Sequence, residues 1–96
     1  MNDKKKIKHI RAMLRIGADT PLKINFVDGD VFYLSEIFKV DPSIYGKDGI
    51  WSAQVLEVLH SEKPEKKVIF TGTCIDFFES DIEKIQIKRK RGDLGS

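Results

Sequence analysis

The sequence predicts a mainly β chain: a five-stranded, strongly bent antiparallel sheet, curled into a small barrel, with an α-helix in front of it. Three observations carry that expectation. Apolar residues recur at helical spacing near the start of the chain and alternate with polar ones in the stretches that follow. Turn residues punctuate those stretches at short intervals. A length of 96 residues leaves room for one core only. Five short strands have too little area for two packed sheets, whereas bending one sheet buries a face and removes most exposed edges.

The helix is expected over about residues 4–16. Ile7, Ile10 and Leu14 stand at i, i+3 and i+7, with Met13 beside them, and give one apolar face. Asp3 is placed as its N-cap and Gly17 as a left-handed C-terminal cap. Lys4, Lys8, Arg11 and Arg15, at i, i+4, i+7 and i+11, form a basic stripe on the other side. Lys4, Lys5 and Lys6 fall in the first turn, where the helix dipole disfavours each exposed cation by about 0.3–1 kcal/mol. That placement calls for fraying or for a partner outside the helix.

Thr20-Pro21 ends the pattern. Leu22, Ile24 and Phe26 then alternate with Lys23 and Asn25, Asp28-Gly29 supplies a hairpin turn, and a return strand runs from about Val31 to Phe38. "KVDPSIYGKDG" reads as a loop without the strand–glycine–helix order of a phosphate cradle. "IWSAQVLEVLH" fits two patterns: Trp51, Val55, Val58 and Leu59 would make a helical face, and Trp51, Ala53 and Val55 a strand face. A strand is preferred, because "HSEKPEKK" then forms a polar hairpin loop into the β-forming run "VIFTGTCIDFF". Ser80 and Glu83 could box the start of a helix, but a single turn leading into a last strand, Lys84–Lys88, with Ile85 and Ile87 on one face, is the reading adopted. Residues 1–88 are thus one domain, and 89–96 a basic tail expected to be disordered. The expected core is Leu22, Ile24, Phe26, Phe32, Leu34, Trp51 or its neighbours, Val55, Ile69, Ile75, Phe77, Ile82 and Ile85.

This order resembles the Sm-like, SH3-type small barrels, in which an N-terminal helix caps five strands. "INFVDG" fits the apolar–x–apolar–x–Asp-Gly opening of their first hairpin, and Gly72 followed by Ile75 in "FTGTCIDF" is similar to their second motif. Thr71 stands where that family usually has a basic residue before the glycine, and its first-motif Asn has no counterpart near Asp41-Pro42. The resemblance implies a fold and an RNA-binding tendency. It supplies no nucleotide-binding residues.

Charge is segregated along the chain. Residues 1–17 carry six basic side chains and one acidic, a net +5; residues 84–96 carry five and one, a net +4; residues 18–83 carry six and thirteen, a net −7. Such asymmetry marks an interaction arm or an internal electrostatic match. A groove for nucleic acid needs cations for phosphates and aromatics for bases. Lys4, Lys8, Arg11, Arg15, Lys88, Arg89, Lys90 and Arg91 are the candidate cations, and Phe32, Tyr33, Tyr45 and Trp51 the candidate rings. The competing reading is a protein-interaction or self-association module whose basic ends dock on acidic surface.

Catalysis finds little footing. Asp76, Glu79, Asp81 and Glu83 have the spacing of a solvated turn, and Asp28 and Asp30 flank Gly29 as turn residues do. Cys74, the single cysteine, lies in an apolar β-forming stretch and is expected to be an inert core thiol. His9 and His60 give no zinc spacing with it. The expectation is a non-enzymatic binding domain without cofactor or metal. No apolar run has the length of a membrane span or a secretory leader, and a single cysteine fits a reducing cytoplasmic setting.

Overall fold

A computed structural model describes residues 2–87 of the chain. Helix α1 (Asn2–Ile16) precedes strands β1 (Leu22–Phe26) and β2 (Val31–Lys39), a one-turn helix α2 (Pro42–Tyr45), strand β3 (Ile50–His60), a short helix α3 (Glu65–Phe70), strand β4 (Cys74–Phe78), a 3-10 turn (Glu79–Asp81) and strand β5 (Ile82–Ile87). All five strands form one antiparallel sheet in the order β4-β3-β2-β1-β5. The chain is mainly β, as its alternation predicts.

The sheet is strongly bent. Three inter-strand steps separate β4 from β1, about 14 Å in a flat sheet, yet the rings of Phe26 and Phe77 lie 5.6 Å apart, edge to face. The two edge strands do not pair with each other, so the sheet stays open between β4 and β5. Bulges make the bends. The β2–β3 register shifts between Val31 and Phe32, between Tyr33 and Leu34 and between Ser35 and Phe38, and the β1–β5 register shifts between Asn25 and Phe26. Glu36 sits inside one of these bulges with φ of 50°, a left-handed conformation rare for a residue with a side chain. Inward positions are therefore three apart at three of these four shifts: Leu34 and Ile37, Val55 and Val58, Ile82 and Ile85 are all buried.

The core collects Leu22, Ile24, Leu34, Val55 and Ile82 at its centre, and α1 seats Ile10 and Leu14 on it, 2% and 0% exposed. Fully burying each of those two side chains is worth about 1.5–3 kcal/mol. The helix packs against β2, β5 and the 3-10 turn.

Several expectations need correction. Gly17 is absent from the left-handed glycines, so it is no left-handed cap. It is required by close approach, since a Cβ there would stand 2.5 Å from Ile37 Cδ1 and 2.9 Å from Leu22 Cδ1. Asp3 lies inside α1 rather than at its cap. The run "VIFTGTCIDFF" is not one strand: Val68, Ile69 and Phe70 belong to α3, and the chain turns at Gly72, with φ of 83°, before β4 begins. Ile69 is consequently 58% exposed, and Ile75 only partly buried. Within β5, Ile85 is buried but Ile87 is half exposed, and Lys88 lies outside the described residues.

Candidate nucleic-acid interface

The face of α1 turned from the core carries the predicted basic stripe. Lys4, Lys8, Arg11 and Arg15 are all exposed. Arg11 is nevertheless engaged. Its Nε donates to both carboxylate oxygens of Glu79, at 2.9 and 3.0 Å, and Trp51 Nε1 donates to Glu79 Oε2 at 2.8 Å. Glu79 is 5% exposed, so the 3-10 turn carries a buried carboxylate held by a cation from the helix and an indole from β3. This pins α1 to the body at one point. Among the described residues no ion pair engages Lys4, Lys8 or Arg15. Lys88, Arg89, Lys90 and Arg91 lie outside the described residues.

Two shallow clefts flank the stripe. One, about 340 Å³, is lined by Lys4, Ile7, Lys8 and Arg11. The other, about 270 Å³, runs between Ile7, Arg11, Asp48, Gly49 and Phe78. Phe78 is 39% exposed, and Lys47 Nζ stands 5.9 Å from its ring centroid. The second cleft thus places a partly exposed aromatic ring beside Arg11, the helix cation that is paired with Glu79. Lys39 nearby is already paired with Asp48 at 3.0 Å, and that ammonium, with the Gly49 amide, holds the Asp48 carboxyl below its ordinary range.

The candidate rings need correction. Phe32 and Trp51 are buried in the core, so neither offers a face to a base, and Tyr33 is half-buried. The Tyr45 side chain lies outside the described residues. Phe78 and Lys47 were missed. The Phe77-Phe78 doublet in a strand was the available signal, since alternation turns one of two neighbours outward.

A second charged cluster lies at the far end of β1. Lys66 Nζ, from α3, donates to Asp30 Oδ2 at 2.6 Å and stands 3.8 Å from Asp28 Oδ2. Burial pushes the Asp30 carboxyl up, but its hydrogen bonds with Lys66 and Ser61 and the charges of Lys66 and His60 outweigh this and hold it below the ordinary value. Lys66 is raised, chiefly by the hydrogen bond to Asp30.

Cys74 is exposed, which overturns its expected place in the core. Gln54 is its partner across the β3–β4 ladder, whereas His60 lies six residues further along β3, about 20 Å at the rise of a strand. The imidazole therefore cannot activate that thiol. Among the described residues, no three His, Cys, Asp or Glu side chains gather as metal ligands would, and no helix is long and apolar enough to cross a membrane. No family model matches the chain, and neither a curated protein nor a solved structure matches it.

Proposed function

We propose that this chain is a non-enzymatic small-barrel domain of Sm-like, SH3 type that binds single-stranded RNA along its basic helix and C-terminal segment. The observation that carries the reading is the division of labour on α1. Ile10 and Leu14 satisfy the core, while Lys4, Lys8 and Arg15 stay exposed and outside any ion pair among the described residues. Phe78, beside Arg11 in the adjoining cleft, supports it with a ring on which a base can stack. The helix-first order and the bent sheet with β1 between β2 and β5 support the barrel type. The acidic body, at −7 over residues 18–83, confines a phosphate backbone to this side.

The test is titration of a fluorescent single-stranded RNA at low and moderate salt. Each phosphate neutralised contributes about −0.7 to the slope of log affinity against log salt. Paired substitution of Lys4→Glu and Lys8→Glu is expected to lower both affinity and slope. Absence of binding at about 50 mM salt, or binding with no slope, overturns the proposal.

One observation favours a second reading, a protein-interaction module whose basic ends dock on acidic surface: Arg11 is already docked on Glu79. Mass in solution decides it. If Arg15→Glu dissociates an assembly of the native chain, while RNA does not bind, the interaction module is the function.

A further inference from the structure

Among the described residues, Arg11 is the one cation of the helix stripe in an ion pair, and the manner of its pairing leaves most of its guanidinium unused. A guanidinium presents donors on Nε and on both Nη atoms in a rigid planar fork. Only the Nε donor goes to Glu79, shared between the two carboxylate oxygens at 2.9 and 3.0 Å. Among the described residues neither Nη group makes a hydrogen bond or an ion pair, and the side chain is 45% exposed. Arg11 is also the cation common to both clefts, the one it lines with Lys4 and Lys8 and the one it lines with Phe78. A phosphate backbone that passes from one cleft to the other therefore crosses this side chain.

Glu79 holds the fork still. Its backbone N–H donates to the Gly49 carbonyl at 2.9 Å, its Oε2 accepts from Trp51 Nε1 at 2.8 Å, and it is buried. Trp51 belongs to the core. The carboxylate is thus fixed to the body, and it orients the arginine rather than following it. Stability alone does not call for an ion pair at such a place, since apolar side chains of similar volume often join elements as well or better. What the pair adds is direction. With Nε fastened, the guanidinium plane is fastened too, and its Nη donors keep one heading. Bidentate recognition of a phosphate uses such a fork. A fork set before binding spares the rotamer entropy that an unpaired lysine or arginine loses on contact. We infer that Glu79, braced by Trp51, is a positioning residue of the RNA surface, and that it sets the Nη pair of Arg11 to receive one backbone phosphate between the two clefts. The inference rests on the RNA reading and gives a buried acid a favourable part in binding a polyanion.

The experiment titrates a fluorescent oligouridylate into the native full chain and into Glu79→Gln, Arg11→Lys and Lys8→Glu, at a temperature where circular dichroism shows each one folded. Glu79→Gln removes a negative charge, so charge alone predicts tighter binding. Loss of the positioned fork predicts the opposite, binding about fivefold weaker. Arg11→Lys keeps the charge without the fork and should bind about five- to tenfold more weakly at an unchanged salt slope, whereas Lys8→Glu lowers the slope. In NMR spectra of the arginine side chains, the Arg11 Nε–H signal should stay in place as RNA is added while its Nη protons shift. Equal or tighter binding by Glu79→Gln, native affinity in Arg11→Lys, or displacement of the Nε–H signal overturns the inference, and the Lys8→Glu effect then leaves the RNA reading standing. Absence of binding by the native chain overturns both.

Discussion

Replacing Glu79 by alanine tests whether the helix is fastened where the structure puts the fastening. The carboxylate accepts from two donors, the single Arg11 Nε–H shared between its two oxygens and Trp51 Nε1, and its side chain is 7% exposed. Losing a charge-assisted bond costs about 1.5–3 kcal/mol, and a buried indole N–H left without an acceptor adds about 1–3 kcal/mol. The guanidinium side is discounted, because Arg11 is 45% exposed and water can replace its partner. The net expectation for Glu79→Ala is about 3 kcal/mol, a fall in Tm of roughly 12–24 °C for a domain this small. Glu79→Gln keeps an acceptor for the indole and should cost about 1–2 kcal/mol. Urea unfolding followed by the fluorescence of Trp51, the single tryptophan, reads both variants and reports the indole's own surroundings. If alanine costs less than about 1 kcal/mol, or no more than glutamine, the buried carboxylate is not what fastens α1.

Gly17→Ala should lose about 1–3 kcal/mol by overpacking, because the new methyl meets Ile37 and Leu22 side chains and the Leu14 carbonyl oxygen at 3.0 Å; thermal unfolding measures it. The Asp30 carboxyl is held low in the folded chain, so its stabilisation is present above the unfolded pKa and disappears as pH falls through the folded one. Lys66, held high, contributes below its unfolded pKa and loses that contribution as pH rises through its folded one. Urea midpoints across the acid limb should therefore fall less steeply in Asp30→Asn than in the native chain. Cys74, being exposed, should react with a thiol-specific reagent in the native protein nearly as fast as in urea, and Cys74→Ser should change stability by less than about 0.5 kcal/mol.

The strands were legible where alternation is unbroken. Leu22, Ile24 and Phe26 point inward as their spacing requires, and Asp28-Gly29 turns the chain between β1 and β2. The bulge is what left residues 50–60 with two patterns, and the strand preferred there is the element that forms. Trp51, Val55 and Val58 are buried at i, i+4 and i+7, a helical signature, yet they lie in one strand. The extra residues of the β2–β3 bulges stretch a period of two into steps of three, so a strongly bent strand imitates a helix in its hydrophobic pattern. The same effect hid Ile37, whose place in the core follows from the left-handed Glu36. At α3 the error ran the other way. Val68 and Ile69 read as strand on propensity, but Pro64 before the first turn and Gly72 beyond the last mark the ends of a helix. Phe78 escaped because propensity says which residues form a strand, not which side of it is covered.

The helix stripe itself contained more than its charge. At about 100° per residue, Arg11 lies about 40° from Ile7 around the helix axis, whereas Lys4, Arg15 and Lys8 lie progressively further, Lys8 about 100° away. Arg11 is thus the cation bordering the apolar face, and it is the one that reaches back to Glu79 on the body. The other three point away from that border and form no ion pair among the described residues. The same geometry separates two properties by position. Arg11→Met should lower stability by about 1–3 kcal/mol, since it strips a buried carboxylate of its cation. Lys8→Glu should leave stability within about 0.5 kcal/mol and take its effect on RNA affinity and salt slope. Should Lys8→Glu unfold the chain and Arg11→Met leave it unharmed, the helix is turned differently on the sheet, and the exposed stripe is not the surface that meets a ligand.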